Sequence, residues 1–325
     1  MSGWHVIFGT GPLAIALMRA LRADGLPVRM LNRSGHVPFD KDADTQVGGI
    51  DAALAAHTCE VCEGASAVYH CIGLPYPQWE QLPAIAEGIA EGAAFAGAPL
   101  VYADNLYLYG AVSGPMTEDL PATATTRKGR IRAAIAQRLL ERHRAGGQRV
   151  AIGRGSDFFG PGATLNAAMG SRVFARALDG RRAQLIGNPD RLHSYTYLGD
   201  FARALKTIAL DDRAHGHAWH VPSAPALTTR AFVERVYRIA GTTPRSAAAP
   251  RLALKALGLF DPQVRELIEM LYQFERDFVM DSARFESTFG QAPTPLDQAI
   301  GETLAWFRDH GAQARDRPTR FRRQP

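Results

Sequence analysis

A strand-like apolar run at residues 5–8 (His-Val-Ile-Phe) passes directly into Gly9-Thr10-Gly11-Pro12-Leu13-Ala14. Residues 13–21 then repeat apolar side chains at helical spacing. Strand, Gly-x-Gly-x-x-Ala turn and helix in this order sharply restrict what the chain can fold into. The first glycine permits a tight turn, the second lets the backbone approach a pyrophosphate, and a small Ala14 lets helix and strand pack closely. The start of the helix presents free N–H groups and a partial positive charge to the phosphates. Gly9, Thr10, Gly11, Pro12 and Leu13 are therefore the expected dinucleotide-binding turn. The alternative is a tight strand–helix turn without a ligand.

The rhythm continues downstream. Strand-like runs at 27–31, 47–50, 67–72, 100–103 and 149–152 alternate with helix-like stretches at 51–63, 78–94 and 125–144. Such alternation predicts an α/β fold, a Rossmann-like doubly wound parallel sheet. After Gly160-Pro161-Gly162 helices dominate, at about 165–178, 200–210, 229–240, 262–274 and 296–309, with short apolar pieces at 184–186 and 219–221. The expected organisation is a dinucleotide-binding domain over 1–160 and a smaller, mostly helical substrate lobe over 161–312. Residues 190–222 return to the sheet domain, and 313–325 form a basic tail.

Composition narrows the class of protein. Hydrophobic residues make up 46% and charged residues 21%, a globular balance that excludes wholesale disorder. No apolar run reaches the ~18–20 residues of a membrane helix. Most of the formal charge of +5 sits in the tail, where Arg315, Arg317, Arg320, Arg322 and Arg323 face one acid, Asp316. The body is close to neutral, so no nucleic-acid face is expected. Three cysteines, Cys59, Cys62 and Cys71, do not form a disulfide framework, and the N-terminus lacks a signal-peptide pattern. These features lead us to expect a cytoplasmic protein with a small-molecule substrate.

The end of the second strand selects the dinucleotide. An acid there binds the ribose 2′-hydroxyl of NAD. Here Asn32-Arg33-Ser34 stands instead. Arg33 can pair with a 2′-phosphate and stack on adenine, which favours NADP, with NAD as the alternative. The other reading of Arg33 is a solvated loop arginine.

Several segments together resemble the extended short-chain dehydrogenase/reductase superfamily, the NAD-dependent epimerase/dehydratase family. They are the glycine turn, Ala67-Val68-Tyr69-His70-Cys71-Ile72-Gly73, Val101 to Gly110 ending Tyr107-Leu108-Tyr109-Gly110, Arg154-Gly155-Ser156-Asp157-Phe158-Phe159-Gly160-Pro161, and His193 to Asp200. The resemblance spans about residues 4–310. It implies an NAD(P)-dependent oxidoreductase or epimerase/dehydratase-like enzyme, and pairing of two copies through the long helices beside the fifth strand. It also places Cys71, Ile72 and Gly73 beside the cofactor and Asp51 near the adenine. Asp51 is equally suited to cap the following helix.

The catalytic centre departs from that family. Its members carry a tyrosine and, four residues later, a lysine on the long helix, with a serine or threonine near the fifth strand. No tyrosine occurs here between Tyr109 and Tyr195. The alignment puts Thr126 at the tyrosine position, Arg130 at the lysine position, where it braces the nicotinamide ribose, and Asn105 at the serine position. Threonine is a poor acid, and arginine does not release a proton. The expected relocated proton donors are Tyr107 and Tyr109 at the carboxyl end of the fifth strand, with Lys128 as the alternative acid. Tyr76, Asp157, Phe158, His193 and Tyr195 are the expected substrate-side residues. His193 stands where relatives that bind nucleotide sugars carry an arginine, and it lacks the bidentate grip on a diphosphate. Nucleotide sugars are therefore not the expected substrate; a small hydroxyl or carbonyl compound is. Without the Tyr-x-x-x-Lys pair, a non-catalytic dinucleotide sensor is the rival reading.

Cys59-x-x-Cys62 has too few partners for a structural zinc site and reads as buried thiols, so no metal is expected. No Gly-x-Ser-x-Gly elbow or phosphate-binding Gly-x-x-x-x-Gly-Lys loop occurs.

Overall fold

The structure, a computed structural model, describes residues 3–37, 45–165 and 167–311. The arginine-rich tail at 313–325 lies outside the described residues.

Strands β1 (Trp4–Phe8), β2 (Val28–Asn32), β3 (Gln46–Gly49), β4 (Ala65–His70), β5 (Leu100–Asn105) and β6 (Val150–Gly155) are the successive strands of one sheet. Strands β7 (Asp157–Phe159), β8 (Ala183–Ile186), β9 (Leu192–His193) and β10 (Tyr195–Tyr197) follow outside it, and β11 (Ala218–His220) returns to it. The order across this seven-stranded sheet is β11-β6-β5-β4-β1-β2-β3. Every pairing in it is parallel. Phe8 of β1 registers against Leu31 on one side and His70 on the other. The chain reverses its direction of growth at the β1–β4 boundary, and the crevice at such a boundary takes the ligand in open α/β sheets. Trp219, in the stretch expected to return to the sheet domain, lies on its edge strand β11.

Period-2 alternation in β1 sends Val6 and Phe8 to one face and Ile7 to the other, and both faces are covered. Helices α2 (Ala55–Cys62), α3 (Leu82–Phe95) and α4 (Arg127–Arg144) pack on the Val6 side. Helices α1 (Pro12–Ala23) and α6 (Leu198–Leu210) cover the Ile7 side. Between them in sequence, α5 (Phe174–Leu178) belongs to the lobe. There it packs with α7 (Thr229–Ala240) and α12 (Leu296–Asp309) around Phe159, Phe174, Phe232 and Phe307. Two more strands, β12 (Leu227–Thr228) and β13 (Ser246–Ala249), pair with β9 and β8. Three short helices follow, α8 (Arg251–Leu257), α9 (Pro262–Leu267) and α10 (Tyr272–Glu275), and α11 (Ala283–Phe289) packs back on the sheet, where Phe285 and Phe289 meet Trp219 of β11.

Several expected elements are shorter than their patterns suggest. Among the described residues of the stretch 165–178, the α-helix covers only Phe174–Leu178. Residues 262–274 break into α9, a 3-10 turn over Ile268–Met270 and α10. Helix α2 begins at Ala55 with Leu54 at its N-cap. Asp51 therefore does not cap it; its Oδ1 accepts from the Ala53 N–H at 3.1 Å in a local turn.

Candidate active site

The glycine turn is built as its spacing requires. Gly9 sits at φ +121°, a backbone region open to glycine, and a Cβ there would lie 2.8 Å from the Cys71 carbonyl oxygen. Gly11 is the N-cap of α1, no side chain caps that helix, and nothing lies within 4 Å of a Cβ built on it. This open cradle against an uncapped helix start fits a pyrophosphate. Thr10 and the β2 loop are tied together: Asn32 Nδ2 donates to Thr10 Oγ1 at 2.7 Å and to the His36 carbonyl at 2.6 Å. Asn32 Oδ1 accepts from the backbone N–H groups of Ser34 and Gly35 and from the Ser34 hydroxyl. Asn32 therefore shapes the loop rather than reading a ribose. Arg33 is exposed. It lines a cleft of about 760 Å³ together with Arg29, Gly48, Gly49, Asp51 and His57. Cys71 and Ile72 continue β4 beside the turn: the Cys71 N–H donates to the Phe8 carbonyl, and burial pushes the Cys71 thiol up to about 12. The Cys62 thiol is likewise buried in the core and pushed up to about 12 by burial, so it is an inert packing group. No Cβ built on Gly73 meets an atom within 4 Å.

At the carboxyl end of β5, Asn105 Oδ1 accepts from the Tyr107 N–H at 3.0 Å and starts a 3-10 turn over Tyr107–Tyr109. The turn separates the two tyrosines. Tyr107 Oη meets Tyr76 Oη at 3.0 Å, and its ring stacks on Trp79. Burial holds both of these hydroxyls above the usual phenol range. Tyr109 is fully buried instead; its hydroxyl accepts from Arg154 at 2.8 Å and bonds His220 Nε2 at 2.8 Å. Tyr109 is thus a packing residue, because the turn breaks the strand alternation that would have aligned it with Tyr107.

Helix α4 corrects the expected register by two residues. Thr126 is its N-cap, the hydroxyl accepting from the Gly129 N–H at 3.1 Å, and Arg130 is exposed. Neither faces the sheet. The buried face carries Lys128, Arg132, Ile135, Ala136 and Leu139. Lys128 and Arg132 therefore form the inward pair four residues apart. Sequence periodicity holds the signal: Ile135 and Leu139 define the core stripe, and 128 and 132 extend it where 126 and 130 do not. Lys128 is fully buried, its Nζ donating to Glu266 at 2.6 Å and Glu269 at 2.5 Å, and it lies 4.8 Å from the centre of the Tyr76 ring. Hydrogen bonds from Lys128 and Arg127 outweigh burial and hold the Glu266 carboxyl below its usual range. Arg132 Nη1 donates to Tyr102 Oη at 2.5 Å and lies 3.5 Å from the Asp104 carboxylate, which Arg154 also approaches at 3.3 Å. Beside it, burial and the Arg132 charge push His70 down to about 3, so that imidazole is neutral.

On the lobe side, His193 Nε2 meets Asp157 Oδ2 at 2.8 Å and its Nδ1 meets the Gln273 carbonyl at 3.2 Å. The His193 ring is stacked among Tyr195, Phe274 and Phe278. Asp157 alone of this pair reaches solvent, with 16% of its side chain exposed against 2% for His193. Phe158 is partly exposed beside it. Tyr195 is buried with its hydroxyl on Thr229 Oγ1 at 2.7 Å, so it packs the lobe and does not line the crevice. Glu266, Glu269, Tyr272 and Gln273 carry no signal in the sequence, since their segment lacks a motif and reaches the site only by tertiary packing. The buried Gln273 side chain lies against the Tyr107 hydroxyl, and the Tyr272 hydroxyl has no hydrogen-bond partner.

Solved proteins share this fold. The chain resembles dTDP-glucose 4,6-dehydratase from Streptomyces venezuelae, solved with NAD, at 18% identity and TM-score 0.77 over 96% of this chain and 99% of that one. It resembles an epimerase from Methanothermobacter thermautotrophicus at 14% identity and TM-score 0.81, covering 97% and 94%. It also resembles UDP-glucose 4-epimerase from Thermotoga maritima, solved with UDP-glucose, at 13% identity and TM-score 0.78, covering 94% and 99%. No curated protein matches. Two of these three structures are nucleotide-sugar enzymes by name, so the expected exclusion of nucleotide sugars finds no support among them. The NAD in the dehydratase structure likewise lends none to a preference for NADP. Among the described residues no helix is long and apolar enough to cross a membrane. The sequence profile of the NAD dependent epimerase/dehydratase family matches residues 6–221, the stretch that builds the glycine turn, the β5 end and the α4 pair, and the chain belongs to that family.

Proposed function

We propose that the chain is an NAD(P)-dependent oxidoreductase or epimerase/dehydratase-like enzyme acting on a small hydroxyl or carbonyl compound, with Tyr107 as its proton-exchanging group. The observation that carries this reading is the Tyr76–Tyr107 hydroxyl pair at the carboxyl end of β5, two strands from the glycine turn. Gly9, Gly11 and the start of α1 hold the pyrophosphate, and the bound dinucleotide supplies or accepts a hydride. Tyr107 carries its proton at neutral pH as any phenol does, and because burial makes it a weaker acid, its donation to a carbonyl oxygen depends on positive charge nearby. Asn105 fixes the backbone of Tyr107, Trp79 supports its ring, and Tyr76 passes the replacement proton across 3.0 Å. The Lys128 ammonium over the Tyr76 ring stabilises negative charge as it develops on the pair. Nucleotide sugars belong in the substrate screen alongside simple ketones and alcohols.

Tyr107→Phe is expected to lower turnover by about 10²–10⁴-fold, the usual contribution of a positioned acid or base, while NADPH affinity stays within about twofold. Steady-state rates with the first active compound, and calorimetric titration of NADPH, check this; unchanged turnover removes Tyr107 from the mechanism. In the same reading Arg33 meets a 2′-phosphate, so NADP is the preferred cofactor. Arg33→Ala should weaken NADPH binding about tenfold and leave NADH unaffected, as befits the loss of one charge-assisted contact. Equal affinities of the unaltered protein for both dinucleotides would defeat the preference.

One observation favours a second reading. Lys128 and Arg132, the inward pair of α4, are both engaged in ion pairs with carboxylates. A dinucleotide-binding protein without turnover is consistent with that. It would bind NADPH, process no compound in the screen, and be indifferent to Tyr107→Phe.

A further inference from the structure

The hydrogen bonds of His193 set how many protons the His193–Asp157 pair carries. Nδ1 faces the Gln273 backbone carbonyl, which only accepts, and Nε2 faces an Asp157 carboxyl oxygen, which accepts when ionised. A neutral imidazole donates from one nitrogen only. Two acceptors at 3.2 Å and 2.8 Å therefore require one extra proton on the pair. The ring itself is locked between Tyr195, Phe274 and Phe278, so it cannot turn to escape the requirement. The groups facing the pair are Tyr76 from the turn after β4, Tyr107 from the turn after β5, Tyr195 from β10 and Tyr272 from α10. Burial raises all four phenols and the Asp157 charge adds to it, so each remains neutral. Only Oδ2 of Asp157 bonds the imidazole, which leaves Oδ1 on the partly exposed side chain. The Tyr272 hydroxyl, near enough to feel the Asp157 charge, has no partner of its own.

We propose that Asp157 and His193 form a fixed carboxylate–imidazolium dyad that reads a hydrogen-bond donor on the substrate through Asp157 Oδ1, so that the ligand carries a hydroxyl or an ammonium group at this point and not a carboxylate or phosphate. The dyad deepens the reading of the crevice as a substrate site and rests on it. His193 is a positioning residue: its Nε2 holds Asp157 Oδ2 and fixes the orientation of the carboxylate. Asp157 determines specificity, because an anionic group placed against its free oxygen meets like charge.

The dyad is tested directly by nitrogen NMR of the full-length protein labelled at histidine, with His193 assigned by loss of its signals in His193→Gln. At pH 7.5 both His193 ring nitrogens should be protonated, and Asp157→Asn should return the ring to a neutral form. A neutral single tautomer in the unaltered protein overturns the dyad. The ligand half uses NADPH-saturated protein and a matched series: 1,4-cyclohexanediol, 4-aminocyclohexanol and 4-hydroxycyclohexanecarboxylate, read by saturation-transfer NMR. The first two should bind at least about tenfold more tightly than the carboxylate, and Asp157→Asn should erase that difference. Tighter binding of the amine than of the diol identifies an ammonium-bearing substrate; equal binding identifies a hydroxyl. A carboxylate that binds as well as the diol, discrimination that survives Asp157→Asn, or no binding by any of the three overturns the specificity. Failure of NADPH to bind is a separate result: it overturns the proposed function, while the protonation state of His193 still decides the dyad. Melting curves of Asp157→Asn and His193→Gln confirm that each variant is folded.

Discussion

Gly11→Val should abolish dinucleotide binding, by about a hundredfold or more, and leave the melting temperature unchanged. The space that a side chain would occupy at Gly11 is empty of protein atoms, so the fold gains no clash. It is also the space through which the backbone approaches a pyrophosphate, so the ligand loses its seat. Gly9→Ala is the informative contrast. Its backbone lies at φ +121° and its new Cβ would press on the Cys71 carbonyl, so it should lose both binding and about 1–3 kcal/mol of stability. Calorimetry with NADPH and NADH, paired with thermal melts, separates the two effects. If Gly11→Val still binds with full affinity, the glycine turn is only a tight connection.

The largest expected stability effect lies under the crevice. Asp104→Ala should destabilise the protein by about 3–5 kcal/mol, because it strands two buried guanidiniums, Arg132 and Arg154, on one carboxylate's former site. The exposed pair Arg149–Asp212, 3.9 Å apart, is the control, and Arg149→Ala should change stability by less than about 0.5 kcal/mol. Denaturant unfolding of both variants measures the difference. A loss of less than about 1 kcal/mol at Asp104 would mean that water or repacking compensates the arginines. This network also explains why Arg132 is no simple substitute for a cofactor-facing lysine: Asp104 and the Tyr102 hydroxyl already hold it.

The candidate site is legible in the sequence where local chemistry repeats a spacing. Gly9, Gly11 and the β5 end can be placed because strand–turn–helix geometry is local and needs few residues to specify it. The α4 register is also legible in principle, but matching on Thr126 and Arg130 ignores the helical stripe that Ile135 and Leu139 define, and so lands two residues early. Tyr109 is misplaced when strand alternation is carried into a turn that ends it. Tyr195 is misplaced because its motif marks a strand of the lobe and says nothing of which side that strand shows to the crevice.

By itself the sequence determined the parallel sheet, the dinucleotide turn and the absence of a phenol on α4. Each of these follows from periodicity, glycine placement or composition within about thirty residues, the size of a βαβ unit. Only the tertiary structure decided what surrounds the substrate side. Glu266 and Glu269 reach Lys128 from more than a hundred residues away, and Gln273 reaches His193 across eighty. Contacts of that kind depend on how the lobe docks on the crevice and on which carboxylate meets which buried cation. No local spacing encodes them, because they are settled by long-range packing and the cost of leaving a buried charge unpaired.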